Sequence, residues 1–436
     1  NNSNFYFRND GQLLQGTTGV GLNTGLGNLS IYQEGTVNNF QYNYWCSPIG
    51  VPANVVGNAN FGISLLNRPN SITSSTPATI LPIGNYNGTA NPLAIAPQWI
   101  WKYITSNIYG PNTGGWIGVH ANPTIEPGLG FTMKGTSGTD GANNTGSAQR
   151  YDFRGLPNDG TIGNLVSNNN FTLIGNPYAS AIDLNLFLLD ASNSLLIDGS
   201  AYFWEQGVVN THYIAQYQGG YGTYTSALGY IPATFYSYDG SGNQGSSVGT
   251  GNAFQRRFTP IGQGFMVRGV ASGSVMMKNI FRVFRKEGVG FNSEFARTTN
   301  YFEEIPNVAG IDYTQVSKDY LPQIRIDAMY NNSGVRPTIL GFSDVATDGV
   351  DYSMDGRSPS SEGVEFYYVL DNSPFEFVGC AVQFDIDKKI PIGFRNNVAE
   401  ANYKVRVIST AFGFDDSQIV YIHDKLTDVY YNIKTG

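Results

Sequence analysis

The chain has 436 residues, enough for two to four domains with cores of their own, and carries only 13% charged residues against 14% aromatics and 53 glycines. Tyr and Phe, at 28 and 26 residues, together outnumber the 25 Lys and Arg, a composition that excludes disorder and favours twisted, turn-rich β-sheet. The formal net charge of −8 sits almost entirely in the last third: residues 1–300 hold 13 acidic and 14 basic side chains, residues 301–436 hold 20 and 11. That shift marks a domain boundary near residue 300, and the acidic end argues against a nucleic-acid partner, which needs a clustered basic face. No apolar run reaches the roughly 18 residues that span a bilayer, so no transmembrane segment is expected.

In chain order, NNSNFYFRNDGQLLQG reads as the middle of a β-rich segment, with residues 1–37 closing something that precedes them. The opening has no signal peptide, so either a signal has been removed or the chain is a piece of something longer. From Phe40 an alternating strand, FQYNYWCSPIG, ends in a Pro-containing turn, followed by PQWIWKY, GGWIG and PGLGFTMKG. The same four landmarks recur in the same order as NFTLIGNPYAS, SAYFWEQ, GGYGT and PIGQGFMVRG. Aligned without a gap, Gly128–Gly135 matches Gly262–Gly269 at both loop glycines, at Phe131 and Phe265 and at the closing glycine, and Lys134 pairs with Arg268. This is a duplicated β module, 38–165 and 166–300.

The G-x-G-F phrase could be taken for a phosphate-cradling loop, but such loops feed a helix whose N-terminus faces the anion. Here the continuation is a five-residue strand, so a tight turn is expected, with Phe131 and Phe265 as the first inward-facing residues. The stretches GTSGTDGANNTGS and YDGSGNQGSSVGTGN read as loops. A single short helix is expected over Ala181–Asp190, capped by Ser180.

From about Asp319, the segments YLPQIRIDAMY, GVEFYYVL, AVQFDID, YKVRVIST and QIVYIHD read as strands, which makes 301–436 an acidic β-sandwich. The end at YYNIKTG is where a last strand would follow, leaving a sheet edge open. The fold class is therefore all-β: a duplicated β-sheet or β-sandwich module and then an acidic β-sandwich.

NFTLIGNPYASAID, YFWEQ, THYIAQYQGGYGTY, TPIGQGFMVRG and IVYIHDKLTDVYYNIKTG together resemble large secreted proteins of the Bacteroidetes phylum, exported by the type IX secretion system. The resemblance runs from about Phe5 to Gly436. It implies an extracellular or cell-surface location, the type IX machinery as a partner during export, and a C-terminal sorting domain beyond this region. Two departures stand out: Cys46 replaces the usual Ser after the Tyr-Trp pair, and the chain stops before the family's last strand.

The residues offer little chemistry. Cys46 and Cys380 are far apart, which is no disulfide framework. His120, His212 and His423 are scattered, with no catalytic or metal-binding spacing. SDVATDGVDYSMDGR places Asp344, Asp348, Asp351 and Asp355 on a Gly-containing loop, hard oxygen ligands that suit Ca²⁺, although the spacing departs from the twelve-residue calcium loop. Trp101 and Trp204 occupy matching positions, as shared core residues would. Trp116 and Tyr221, beside Gly-Gly turns, are the candidates for exposed ligand contacts. The expected function is a non-enzymatic structural or adhesive surface protein that meets surface glycans or other surface proteins. The rival readings are a carbohydrate-binding module of a larger secreted protein, and a homo-oligomer or filament subunit completed by a neighbour's strand.

Overall fold

A computed structural model of the chain describes residues 3–17, 21–104, 115–122, 124–143, 149–288, 290, 293–295, 320–331, 334–360, 363–397, 400–411 and 417–434. The expected boundary at residue 300 lies outside the described residues. The fold is all-β, and its one described α-helix is a single turn at Leu184–Leu188. That helix is shorter than expected. Ala181–Asp183 is a strand, and the N-cap is Asp183, whose carboxylate accepts from Asn185 N–H, while Ser180 is buried against Arg282.

Two compact units divide the chain, Asn1–Asp198 with Gln255–Ser317, and Gly199–Phe254 with Lys318–Gly436. The second copy of the module, 166–300, is thus shared: 166–198 and 255–300 belong to the first unit and 199–254 to the second.

Within the first unit the duplication is visible as register. Tyr42–Cys46 pairs antiparallel with Gly130–Lys134, setting Cys46 opposite Gly130, Trp45 opposite Phe131 and Tyr42 opposite Lys134. Phe171–Gly175 pairs with Gly264–Arg268 in the same way, Gly175 opposite Gly264, Ile174 opposite Phe265 and Phe171 opposite Arg268. Each pair is accompanied by a further antiparallel ladder, Asn28–Gly35 with Gln149–Pro157 and Ile162–Val166 with Gly273–Met277. Phe131 and Phe265 are fully buried. The first packs at 5.4 Å on Phe61, beside a cluster in which Trp45 meets Tyr151 and Phe153; the second packs on Phe187 at 5.9 Å. Such aromatic pairs add about 0.5–1.5 kcal/mol each beyond the area they bury.

The repeated glycine phrase is where the copies grip each other. Gly128 and Gly262 sit at φ 81° and 80°, the left-handed turn that lets the chain enter the strand. The turn of each copy then meets the strand end of the other. Cys46 N–H donates to Gly262 O at 2.8 Å, and Gly175 N–H donates to Gly128 O at 3.1 Å. Trp45 bridges Gln263, and Ile174 bridges Leu129. Side chains brace both turns: Gln33 Nε2 donates to Ile261 O at 2.6 Å, and Asn164 Nδ2 to Pro127 O at 3.0 Å, each holding the residue just before a turn. These backbone contacts are reciprocal under exchange of the copies, an internal pseudo-two-fold joint, to which Gln263 adds an unmatched bond from Nε2 to Tyr44 O at 3.3 Å.

Three glycines of this joint leave no room for a side chain, and Gly262 is constrained by its positive φ. A Cβ on Gly264 would stand 2.7 Å from Trp45 O, one on Gly130 would stand 2.6 Å from Leu173 Cγ, and one on Gly175 would stand 2.4 Å from Cys46 Cβ.

The second unit is a sandwich. One sheet runs Ser200–Gln206, Gln218–Thr225, Thr234–Tyr238, Gln244–Thr250, all antiparallel. The last of these lies in the stretch expected as a loop: its Gly-Ser composition hides a strand whose pairing is bulged. The other sheet is seven-stranded, ordered Ile392–Arg395, Glu365–Tyr368, Phe377–Val382, Gly334–Phe342, Gln323–Tyr330, Tyr403–Ala411, with Gly356–Arg357 pairing off the path. Leu228, Ile231, Ile339 and Val378 pack between the sheets. The far face carries a larger cluster around Ile324, Ile326, Leu340, Phe366 and Cys380, covered by Ile433, Val420 and Ile422 of the terminal hairpin segment. The acidic segment therefore supplies one sheet of the sandwich and a hairpin, and takes its opposing sheet from 199–254.

A buried pair fixes the second unit's core rim. Arg336 donates from Nε and NH2 to both oxygens of Glu365, which also accepts from Ser358 Oγ at 2.7 Å, and Arg336 NH2 reaches Tyr236 Oη at 2.9 Å. Burial by itself lowers the Arg336 guanidinium, but Glu365 more than offsets it and the net shift is upward. Both ions are satisfied, which is the condition under which such a pair is tolerated.

Gly264→Ala is expected to lower unfolding stability by about 1–3 kcal/mol, since its clash is with backbone and cannot be relieved by a rotamer change. Gly16→Ala, with open space around its Cβ, serves as the control and is expected to leave the denaturation midpoint unchanged. Equal midpoints for both variants would show that the close approach at the joint carries no stability.

Candidate functional site

The structure keeps Trp116 and Tyr221 in equivalent roles. In the first unit Tyr103 lies directly opposite Trp116 on adjacent strands, rings 4.9 Å apart and T-shaped; in the second unit Trp204 lies opposite Tyr221, rings 5.1 Å apart and T-shaped. One partner of each pair is Trp and the other Tyr, with the order reversed. The glycines beside them are needed for these rings: a Cβ on Gly115 would stand 2.4 Å from Tyr103 Cζ, and one on Gly219 would stand 2.7 Å from Trp204 Cζ2. Trp116 is 36% exposed and packs its edge on Tyr44, while Tyr221 is half-buried. Trp101 and Trp204 are both half-buried instead of core. Trp101 Nε1 donates to Gln98 O.

Lys134 and Arg268, matched in the sequence, are matched in their surroundings. The Lys134 ammonium sits 3.6 Å from the Trp99 ring centroid and 4.9 Å from that of Tyr42. The Arg268 guanidinium sits 4.6 Å over Phe171, the residue equivalent to Tyr42. Lys134 is only 4% exposed, and burial pulls its ammonium down to about 7, against the attraction of the two ring faces.

The four aspartates do not converge as a cage. Asp355 is buried, accepting Ala381 N–H at 2.8 Å on Oδ1 and Asp351 N–H at 2.6 Å on Oδ2, and burial pushes its carboxyl up to about 7 despite those two bonds. Asp351 closes its own turn by accepting from Thr347 N–H and Oγ1, and Asp348 pairs with Lys388 at 2.5 Å. Asp344 is exposed and its backbone carbonyl accepts from Gln383. Among the described residues no group of three or more His, Cys, Asp or Glu is gathered closely enough to hold a metal ion. The carboxylates of Asp351 and Asp355 accept hydrogen bonds that order the loop.

Other reactive groups are similarly engaged. Cys46 and Cys380 are free, buried thiols, both pushed up by burial. His120 lies 6.3 Å from the Trp101 ring, and His423 stacks on Tyr430 at 4.1 Å with Nε2 on Asp428. Glu205, buried in the second unit, accepts from Tyr230 Oη, Ala233 N–H and Asn252 N–H.

Sequence reasoning missed a polar cleft of about 320 Å³ in the first unit. Its walls come from the Asn9-Asp10-Gly11 turn, the Asn28–Gly35 strand and Arg150 on the neighbouring strand. The Arg8 guanidinium lies 3.6 Å over the Tyr32 ring and donates to Phe7 O, Ser30 O, Ser30 Oγ and Ile72 O. Arg150 Nε and NH2 both reach Glu34 Oε1, at 2.6 and 2.5 Å. Only the RND-G stretch, a turn signature at residues 8–11, hints at this site in the sequence.

A family model described as a domain of unknown function (DUF8693) matches residues 1–436. The chain belongs to that family. No curated protein and no solved structure matches it.

The low ammonium pKa of Lys134 has a definite consequence for stability. Between about pH 7 and the unperturbed lysine value, the unfolded chain holds a proton there that the folded chain does not, so this residue's destabilising contribution shrinks as pH rises. Lys134→Met is therefore expected to be more stable than wild type at pH 7, with the difference narrowing by pH 9.5 in urea melts. A difference that stays constant over that range would show that Lys134 keeps its proton in the fold.

Proposed function

We propose that this chain is a non-enzymatic extracellular module of a surface-displayed or released protein, exported by the type IX route, whose role is structural and adhesive. The observation that supports it most is that the equivalent residues Trp116 and Tyr221 each form a cross-strand aromatic pair, with Tyr103 and with Trp204, although those two partners stand two residues apart in the repeat. Tyr and Trp present a broad apolar face with a polar tip, which suits contact surfaces that stay partly wet. Four of the buried ionisable groups of the second unit, Glu205, Glu365, Arg336 and Asp355, are tied to backbone and to one another, as they are in a scaffold. The reciprocal glycine joint ties the first unit together internally, a property that suits a structural surface protein.

Antibodies raised against the purified chain should label intact cells of the producing organism or recover the protein from its culture medium. Confinement of the antigen to the cytoplasm, with no signal on intact cells, would overturn this reading.

A further inference from the structure

We propose that the polar cleft of the first unit is a binding site for an uncharged, hydroxyl-rich ligand, an oligosaccharide. The argument starts with its charges. Arg8 has its donors spent on Phe7, Ser30 and Ile72 carbonyls and the Ser30 hydroxyl, and its plane lies on Tyr32. Arg150 is bound twice by Glu34 Oε1. Both cations are therefore neutralised or saturated in the wall, and neither is left to attract an anion. An anion entering would also meet Asp10, Glu34 and Glu287, and a cation would meet Arg8 and Arg150.

What the wall leaves open is hydrogen-bonding capacity, in a lining where ions of either sign face charges like their own. Asn9 and Asp10 are exposed at the cleft, and their side chains have no hydrogen bond or ion pair among the described residues. Glu34 Oε2 likewise has no such partner. These are a carboxylate, a free carboxylate oxygen and an amide that both donates and accepts. Vicinal hydroxyls satisfy such a set, because each can donate to a carboxylate and accept from an amide while bringing no charge to be compensated. Asn9 and Asp10 are also held at φ 53° and 60°, consecutive left-handed residues that project the two side chains from one tight turn. The volume falls at the low end of the range for small-ligand sites, about 300–1,000 Å³.

This site is separate from the aromatic pairs, and the inference relies on the surface reading only for where a glycan would be met. Sugar binding and surface labelling can fail independently. The test is a printed array of neutral hexasaccharides (glucan, xylan, mannan and galactan series) probed with the whole chain, followed by calorimetric titration of the retained sugar. The variant is Asn9→Gly with Asp10→Gly, which removes both side chains while glycine keeps the left-handed turn. At least one neutral sugar should bind, with affinity falling about tenfold or more in the double variant at an unchanged melting temperature, and unchanged in Trp116→Ala. Retention of no neutral sugar, selective retention of charged peptides or acidic glycans, or binding lost in Trp116→Ala but kept in the double variant would each overturn the proposal.

Discussion

The first unit depends on two backbone segments approaching more closely than any side chain permits. Gly128-Leu129-Gly130 and Gly262-Gln263-Gly264 each lay a left-handed turn against the strand end of the opposite copy, and each receives one amide hydrogen bond there, from Gly175 and Cys46. Because the contact is backbone on backbone, its geometry is set by covalent dimensions and not by rotamers. This is why both glycines of the phrase recur in the second copy, while the residue between them varies from Leu to Gln. The strands on either side inherit their position from this joint. Gln33 and Asn164 brace the residue before each turn, and Phe131 and Phe265 follow one residue after the closing glycine of each turn into separate aromatic clusters.

A reciprocal joint has energetic consequences beyond its few hydrogen bonds. Each copy satisfies a buried amide of the other, so separating them would orphan groups on both sides at once, at a cost of about 1–3 kcal/mol for each unsatisfied group. The candidate cleft adjoins this joint, since the bracing pair Gln33 and Ile261 are among its lining residues. The cleft between the Asn9-Asp10 turn and Arg150 and the Tyr103–Trp116 pair are both carried by the same rigid unit. The second unit reaches rigidity by another route, a sandwich whose rim holds the saturated Arg336–Glu365 pair.

Much of this was legible in the sequence, for reasons that follow from range. The all-β class, the duplication and the inward Phe131 and Phe265 depend on composition and local alternation, which a sequence displays. The positive φ of Gly128 and Gly262 is a local demand and was readable as a turn. What the turns touch was not, since Trp45 and Gly175 lie well away along the chain. The strand Gly334–Phe342 escaped notice because Pro337 interrupts it; the proline is tolerated where the parallel neighbour, which pairs only from Ile339 onward, has not yet begun. The aspartate spacing at 344–355 was plain, yet whether carboxylates bind a cation or cap backbone amides is decided by distances no spacing encodes. The cleft was invisible because residues 8–10, 34 and 150 share no motif and meet only through strand register.

The joint is tested most directly by hydrogen exchange at the two amides that form it. If the copies are one cooperative element, Cys46 and Gly175 N–H should exchange only through global unfolding, with equal opening free energies, and Gly264→Ala should lower both by the same amount. Exchange of one amide by a much lower-energy local opening, while the other keeps global protection, would contradict the account of a reciprocal joint.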